Sequence, residues 1–146
     1  MIIKDFLHYA VKEEEKAYNF YMNLSKKTTD FRTKNFLEQI SRDEMKHKAI
    51  FQSFIEKNDK EFEMACSYNI TFPSPEKEPD HEISDIPTII RFAINKEIES
   101  NQMYLELAKN ITNPHIRNQL LLFAEEEEKH KAGLELELEF YKKELY

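Results

Sequence analysis

The stretch Asn69-Ile-Thr-Phe-Pro-Ser-Pro-Glu-Lys-Glu-Pro79 divides this chain of 146 residues into two halves. Three prolines within seven residues exclude a regular helix there, because proline lacks the amide hydrogen and clashes with the preceding helical turn. The 72 residues before Pro73 contain no proline, and in the second half only Pro87 and Pro114 follow. Long helices are therefore permitted on both sides of the stretch.

Each half is predicted to form two helices separated by a short break. In the first half, Thr28-Thr29-Asp30 supplies the break and an N-cap. In the second half, Asn113-Pro114 supplies a cap and a first helical turn. The four helices are predicted over Asp5–Lys27, Phe31–Lys57, Asp85–Asn110 and Asn113–Lys142.

Short breaks force the helices of each half into an antiparallel hairpin, residues 5–57 and residues 85–142. The connection 58–84 is a long crossover, and we expect it to let the third helix start at the same end of the bundle as the first. The expected fold is all-α, an antiparallel four-helix bundle with ferritin-like connectivity that forms a single domain over residues 1–146. A domain-swapped pair of hairpins is an alternative with the same spacing.

Composition and charge exclude several classes of protein. A single glycine excludes a glycine-rich phosphate loop or dinucleotide-binding turn. With 28 acidic and 21 basic residues, the net charge of −7 has the wrong sign for a nucleic-acid-binding protein. One cysteine, Cys66, rules out an internal disulfide. Because the sequence shows neither a signal peptide nor a run of ~20 apolar residues, we expect a soluble, cytoplasmic protein with no membrane partner.

The two halves repeat each other at an offset of 83 residues. Over residues 5–57, fourteen of 53 aligned pairs are identical. Helical patterning would preserve apolar positions, but it gives no reason to preserve polar ones. The polar identities of interest are Glu14 with Glu97, Tyr21 with Tyr104, Glu44 with Glu127, and His47 with His130. Two similar hairpins related by a pseudo-two-fold axis are therefore expected.

One glutamate lies in the middle of the apolar stripe of every predicted helix, when the stripes are followed in steps of three and four residues. These glutamates are Glu14, Glu44, Glu97 and Glu127. Four buried carboxylates repel one another and are costly to bury unpaired. Because the stripes contain no lysine or arginine, two divalent metal ions are the expected source of neutralising charge.

Histidines complete the predicted ligand set. Glu44 and His47 are three residues apart, as are Glu127 and His130, so each pair shares one helix face. One Glu from each of two helices plus Glu-x-x-His from the other two is the ligand set of di-iron and di-manganese carboxylate proteins. A third match to Glu-x-x-His, residues 78–81, lies in the proline-rich connection, where no helix face exists. Carboxylate and imidazole ligands favour two iron ions, with manganese or a mixed pair as alternatives.

Four segments of the chain resemble the rubrerythrin family of the ferritin-like superfamily: Glu14-Glu-Lys-Ala-Tyr-Asn-Phe-Tyr21, Asp43-Glu-Met-Lys-His47, Glu97-Ile-Glu-Ser-Asn-Gln-Met-Tyr104 and Glu126-Glu-Glu-Lys-His130. The resemblance implies that two irons are bound by Glu14, Glu44, His47, Glu97, Glu127 and His130. It also implies that Tyr21 and Tyr104 hydrogen-bond ligand carboxylates, each on another helix; ordinary core tyrosines are the alternative. Asp43 and Glu126 are candidates for orienting the ligand histidines.

The resemblance further implies an activity. A protein of this type reduces hydrogen peroxide or dioxygen with electrons from an external donor, such as a rubredoxin or a flavoprotein. Full-length relatives carry a four-cysteine electron-transfer module, whereas this chain has one cysteine, and Ser100 stands where they have a further glutamate. A ferroxidase or iron-handling module and a non-catalytic bundle stabilised by metal are the alternatives. A homodimer is a plausible assembly.

Overall fold

The computed structural model of the chain describes residues 3–56 and 76–144. These residues form four helices: α1 (Ile3–Lys27), α2 (Phe31–Glu56), α3 (Ile86–Asn110) and α4 (Pro114–Glu144). The predicted all-α fold of two hairpins is confirmed, with helix ends within two residues of the expected ones. Residues 57–75, which include Cys66 and most of the predicted crossover, lie outside the described part. None of the four described helices combines the length and apolarity needed to cross a membrane.

Helices α2, α3 and α4 begin at N-caps, and the caps of α2 and α4 are the ones that the sequence predicts. Asp30, Asp85 and Asn113 each accept a hydrogen bond from the backbone amide three residues later, at 2.9, 2.8 and 3.2 Å. Such a bond satisfies one of the amides that a helix N-terminus leaves unpaired. Asp30 and Asn113 are 83 residues apart, so the internal repeat includes the turn of each hairpin.

A side-chain bond also joins the two helices of each hairpin at equivalent positions. In the first hairpin, Ser41 Oγ donates to the backbone carbonyl of Tyr18 at 3.0 Å. In the second hairpin, Asn101 Nδ2 donates to the carbonyl of Ala124 at 2.7 Å. These are the same two positions of the 83-residue repeat with the donor moved to the opposite helix. The polar bridge is therefore kept although its residues differ.

The core shows how the two hairpins are oriented. At one end of the bundle, a buried cluster joins Phe6 of α1, Phe51 of α2, Leu107 of α3 and Leu120 of α4. At the other end, a second cluster joins Leu24 of α1, Leu37 of α2, Ile90 of α3 and Leu134 of α4. The start of α3 therefore lies beside the end of α1, and these two helices are antiparallel.

The expectation that the third helix starts at the same end as the first is wrong. A short connection after α2 would place the start of α3 there, because α2 ends beside the start of α1. In the described structure, the end of α2 and the start of α3 instead lie at opposite ends of the bundle, separated by about the 37 Å length of a 25-residue helix. The pseudo-two-fold axis consequently runs perpendicular to the helices. The equivalent residues Tyr21 and Tyr104 therefore lie toward opposite ends of the bundle.

Gly133 in α4 packs closely against α2. A Cβ atom at this position would lie 2.6 Å from Cε2 of Phe36 and nearer still to Cζ of the same ring. The glycine therefore lets the Phe36 ring approach the α4 backbone, which offsets its cost of about 1 kcal/mol within a helix.

Candidate metal centre

The structure brings all six predicted ligand residues together in the middle of the bundle. Glu14 comes from α1 and Glu97 from α3, while α2 supplies Glu44 and His47, and α4 supplies Glu127 and His130. Each of the six is at most 5% exposed. Buried carboxylates without partners are expensive, so their convergence indicates that the site is made to hold positive charge.

Each of the six residues directs one polar atom without a hydrogen-bond partner into the same space. These atoms are Glu14 Oε2, Glu44 Oε1, His47 Nδ1, Glu97 Oε2, Glu127 Oε1 and His130 Nδ1. They form two groups, each with its donor atoms within 4.8 Å of one another. One group comprises Glu14, Glu44 and His47, and the other comprises Glu44, Glu97, Glu127 and His130. Glu44 belongs to both groups, as a residue between two metal ions would.

The distances between these atoms fit a shared ligand sphere. His47 Nδ1 lies 3.4 Å from Glu127 Oε1 and 3.6 Å from Glu14 Oε2. His130 Nδ1 lies 3.3 Å from Glu44 Oε1 and 3.6 Å from Glu97 Oε2. Ligands held about 2.1 Å from a metal ion at octahedral or tetrahedral angles lie about 3.0–3.4 Å from each other. The two shorter distances match this range, and the two of 3.6 Å exceed it slightly. The residues present therefore fit a metal centre.

Two tyrosines form hydrogen bonds between the hairpins to Glu14 and Glu97. The hydroxyl of Tyr21 in α1 donates to Glu97 Oε1 in α3 at 2.6 Å, and the hydroxyl of Tyr104 in α3 donates to Glu14 Oε1 in α1. Each of these carboxylates thus has one oxygen bonded to a phenol and one free toward the centre. The hydrogen bonds expected from the sequence are present, each to a glutamate of the other hairpin. Burial, together with the neighbouring carboxylates, raises the pKa of both phenols well above 10, so they remain donors.

Two further carboxylates bind the outer nitrogens of the histidines. His130 Nε2 lies 2.9 Å from Asp43 Oδ2, and His47 Nε2 contacts Glu126 Oε2. Asp43 is on α2 and His130 on α4, whereas Glu126 is on α4 and His47 on α2, so each bond crosses between hairpins. An imidazole that donates from Nε2 presents the lone pair of Nδ1 to the centre. These contacts are the ones that the predicted orienting role of Asp43 and Glu126 requires.

Electrostatics favour protons in the cluster when metal is absent. Burial, followed by neighbouring carboxylates, raises the pKa of Glu44 and Glu127 well above the usual value. Burial lowers the pKa of the two imidazoles, but the surrounding carboxylates outweigh it and raise the pKa of His47 to about 10 and of His130 to about 11. The metal-free cluster is thus neutralised by protons, which metal ions would have to displace.

A cavity of about 580 Å³ leads to the centre between α1 and α3. Glu14 and Glu97 lie on its inner side, while Glu13 and Glu99 line it nearer the solvent. Ser100 also lines this cavity and is half-buried. The sequence did not indicate the cavity, because a gap between two helices depends on how the hairpins pack.

Glu137 is a buried carboxylate that sequence reasoning missed. It is 3% exposed and accepts hydrogen bonds from Thr33 Oγ1 at 2.7 Å and Arg32 Nη1 at 3.0 Å. Its charge is therefore compensated within the protein, in contrast to the central glutamates. The remaining Glu-x-x-His match is also separate from the centre, since the His81 ring packs edge-on against Phe20 at 4.9 Å between ring centroids.

Two helical hairpins that enclose four glutamates and two histidines define the class of ferritin-like di-metal carboxylate proteins. The family model Rubrerythrin matches residues 5–138, and the chain belongs to the rubrerythrin family. No curated protein matches the sequence.

Two solved structures share the fold. The chain is similar to a structure described as a ferritin-like diiron-carboxylate protein from Thermotoga maritima, with 23% identity, a TM-score of 0.77 and 92% of each chain covered. It is also similar to a hypothetical protein from Pyrococcus furiosus, with 21% identity, a TM-score of 0.74, and 95% of this chain and 89% of that one covered. At these identities the likeness establishes the fold.

Proposed function

We propose that this protein is a di-iron carboxylate oxidoreductase that reduces hydrogen peroxide or dioxygen with electrons from an external donor, such as a rubredoxin or a flavoprotein. The observation that carries the proposal is the set of six buried, unpartnered donor atoms that converge on one centre. Oxygen and imidazole ligands without thiolate favour iron, and manganese is the alternative metal. The ligands assigned to the two ions are Glu14, Glu44, His47, Glu97, Glu127 and His130.

The protein's own side chains prepare this centre. Tyr21 and Tyr104 hold Glu97 and Glu14 with one oxygen free, so these carboxylates need little reorganisation on metal binding. Two ferrous ions would supply the two electrons needed to cleave an O–O bond. Carboxylate ligands stabilise the higher charge of the oxidised metal.

The cavity offers access to the centre from the side of α1 and α3. Asp43 and Glu126 cross between the hairpins on the α2–α4 side, whereas the cavity opens between α1 and α3. At one end of the centre, His47 packs against Phe123 at 4.2 Å between ring centroids, which limits water there. A peroxide or dioxygen molecule would therefore approach from the side of Glu14 and Glu97.

An anaerobic titration with ferrous iron tests the metal assignment. We expect two irons per chain in the unmodified protein and loss of the second in Glu127→Ala, because Glu127 is one of the four donors in the second group. The matched control is Glu128→Ala, which removes an exposed neighbour paired with Lys131 at 3.5 Å and should retain both irons. Two irons bound by Glu127→Ala as by the unmodified protein would overturn the assignment.

Peroxide pulses then test the activity. The loaded protein, supplied with a reduced rubredoxin or a chemical reductant, should consume hydrogen peroxide over many turnovers while it keeps its iron. A loaded protein that consumes neither peroxide nor dioxygen in the presence of the reductant would refute the proposed reaction.

A ferroxidase is the second candidate, and the approach to the centre favours it. Glu13 and Glu99 line the cavity nearer the solvent, where carboxylates would attract ferrous iron. In this case iron is oxidised once and then leaves the protein. Measuring bound iron after a single oxidation separates the two functions, since a reductase retains its iron and a ferroxidase releases it.

A further inference from the structure

The cavity between α1 and α3 is much larger than hydrogen peroxide requires. Its volume is about 580 Å³. A water molecule occupies about 30 Å³ in the liquid, so a peroxide with two oxygens needs roughly twice that volume. Pockets of about 300–1,000 Å³ are typical for organic ligands. The cavity therefore has room for a substrate with a substantial organic part.

Five apolar side chains form one part of the cavity wall: Ala17 and Phe20 of α1, and Phe92, Ala93 and Met103 of α3. The Phe20 and Phe92 rings contact each other, at 5.5 Å between ring centroids. Ser100, a small side chain on the same wall, leaves the space that a longer one would fill. A group placed against this part of the wall would contact rings, methyl groups and a thioether, which bind apolar ligands without a requirement for hydrogen bonds.

Charged side chains line the rest of the cavity, both at the buried glutamates and nearer the solvent. The inner end holds Glu14 and Glu97, the carboxylates of the proposed metal centre, and the outer part holds charged residues such as Glu13 and Lys96. A molecule with a reactive oxygen head and an apolar tail matches this arrangement, with its head at the centre and its tail against the edge of the Phe20–Phe92 ring pair. Hydrogen peroxide has no tail and would leave the apolar wall without a ligand.

We propose that the preferred substrates are organic hydroperoxides with an apolar tail, bound in the cavity between α1 and α3. The inference rests on the proposed function, which supplies the two electrons from the reduced metal pair. The O–O bond of ROOH breaks as it takes up two electrons from the metal pair and two protons from water. The products are the alcohol ROH and one water molecule. The tail remains intact and leaves with the alcohol.

Binding of the alcohol product tests the tail site without turnover. The probe is 2-phenyl-2-propanol, the product of cumene hydroperoxide, titrated into the metal-loaded protein by calorimetry. Ala17→Phe places a ring on the α1 wall and should weaken binding by at least about tenfold, since the new ring occupies space in which the tail would lie. Ser100→Leu is the second filling variant, on α3. The matched control, Ala49→Phe, puts the same ring at an exposed position of α2 and should leave binding unchanged.

Turnover with two peroxides separates the inference from the function on which it rests. We expect kcat/KM for cumene hydroperoxide to exceed that for hydrogen peroxide by about tenfold or more, and Ala17→Phe to remove this preference while hydrogen peroxide is still reduced. Reduction of hydrogen peroxide without any binding of the alcohol would overturn the substrate class and leave the proposed function intact. A fully loaded protein that reduces neither peroxide would overturn the proposed function and the substrate class together.

Discussion

Replacing Asp43 by asparagine removes the charge that orients His130 while it keeps an oxygen in place. Asp43 Oδ2 lies 2.9 Å from His130 Nε2, and the Asp43 side chain is 24% exposed, whereas Glu126, the partner of His47, is 47% exposed. Loss of such an outer partner costs about 10–100-fold in metal affinity. Because solvent screens the more exposed carboxylate more strongly, we expect about a 100-fold loss for Asp43→Asn and about tenfold for Glu126→Gln. These losses correspond to about 2.8 and 1.4 kcal/mol.

Competition with a chromogenic ferrous chelator under anaerobic conditions measures these affinities. The matched control is Glu125→Gln, which neutralises an exposed neighbour of Glu126 that pairs with Lys129 at 3.5 Å. It should bind iron like the unmodified protein. Unchanged affinity in both Asp43→Asn and Glu126→Gln, or a larger loss in Glu126→Gln than in Asp43→Asn, would refute the reasoning from burial and hydrogen bonding.

Metal binding should release at least two protons per chain near pH 7. Burial raises the pKa of Glu44 and Glu127 in the metal-free protein, so the affinity for metal should fall as the pH is lowered. Calorimetry in buffers of different ionisation enthalpy counts the released protons. Metal binding without proton release would contradict this expectation. Gly133→Ala should destabilise the unmodified protein by about 1 kcal/mol, because displacing the Phe36 ring costs more than the gain in helix propensity. In a Phe36→Ala background the same change should stabilise by about 1 kcal/mol in urea unfolding, and equal effects in both backgrounds would disprove the clash. Glu137→Ala should cost about 1–3 kcal/mol of unfolding free energy without changing iron stoichiometry, and a loss of bound iron would contradict its separation from the centre.

Much of the fold was predictable because the helices are local. Proline positions and the caps at Asp30 and Asn113 depend on a few neighbouring residues, and these determined the helix ends closely. The central residues were predictable for a related reason. A glutamate such as Glu14 in an apolar stripe departs from the usual pattern of an amphipathic helix. Glu97 departs from it in the same way at the equivalent position of the repeat, which indicates a shared role.

The orientation of the hairpins was not predictable in the same way. The length of the connection 57–85 permits α3 to start at either end, and its direction depends on which core clusters form between distant residues. The contact of Gly133 with Phe36 and the pairing of Glu137 with Arg32 also join residues about 100 positions apart. The residue pattern of one helix does not determine its axial register against a neighbouring helix. These contacts could therefore be identified only in the structure.

X-ray diffraction from crystals of the iron-loaded protein, with anomalous data collected at the iron absorption edge, tests the metal centre directly. Two anomalous peaks are predicted inside the bundle, one about 2.0–2.2 Å from His47 Nδ1 and the other at the same distance from His130 Nδ1, with Glu44 and Glu127 in contact. Anomalous peaks confined to the protein surface, with the four central carboxylates turned toward solvent, would contradict the account.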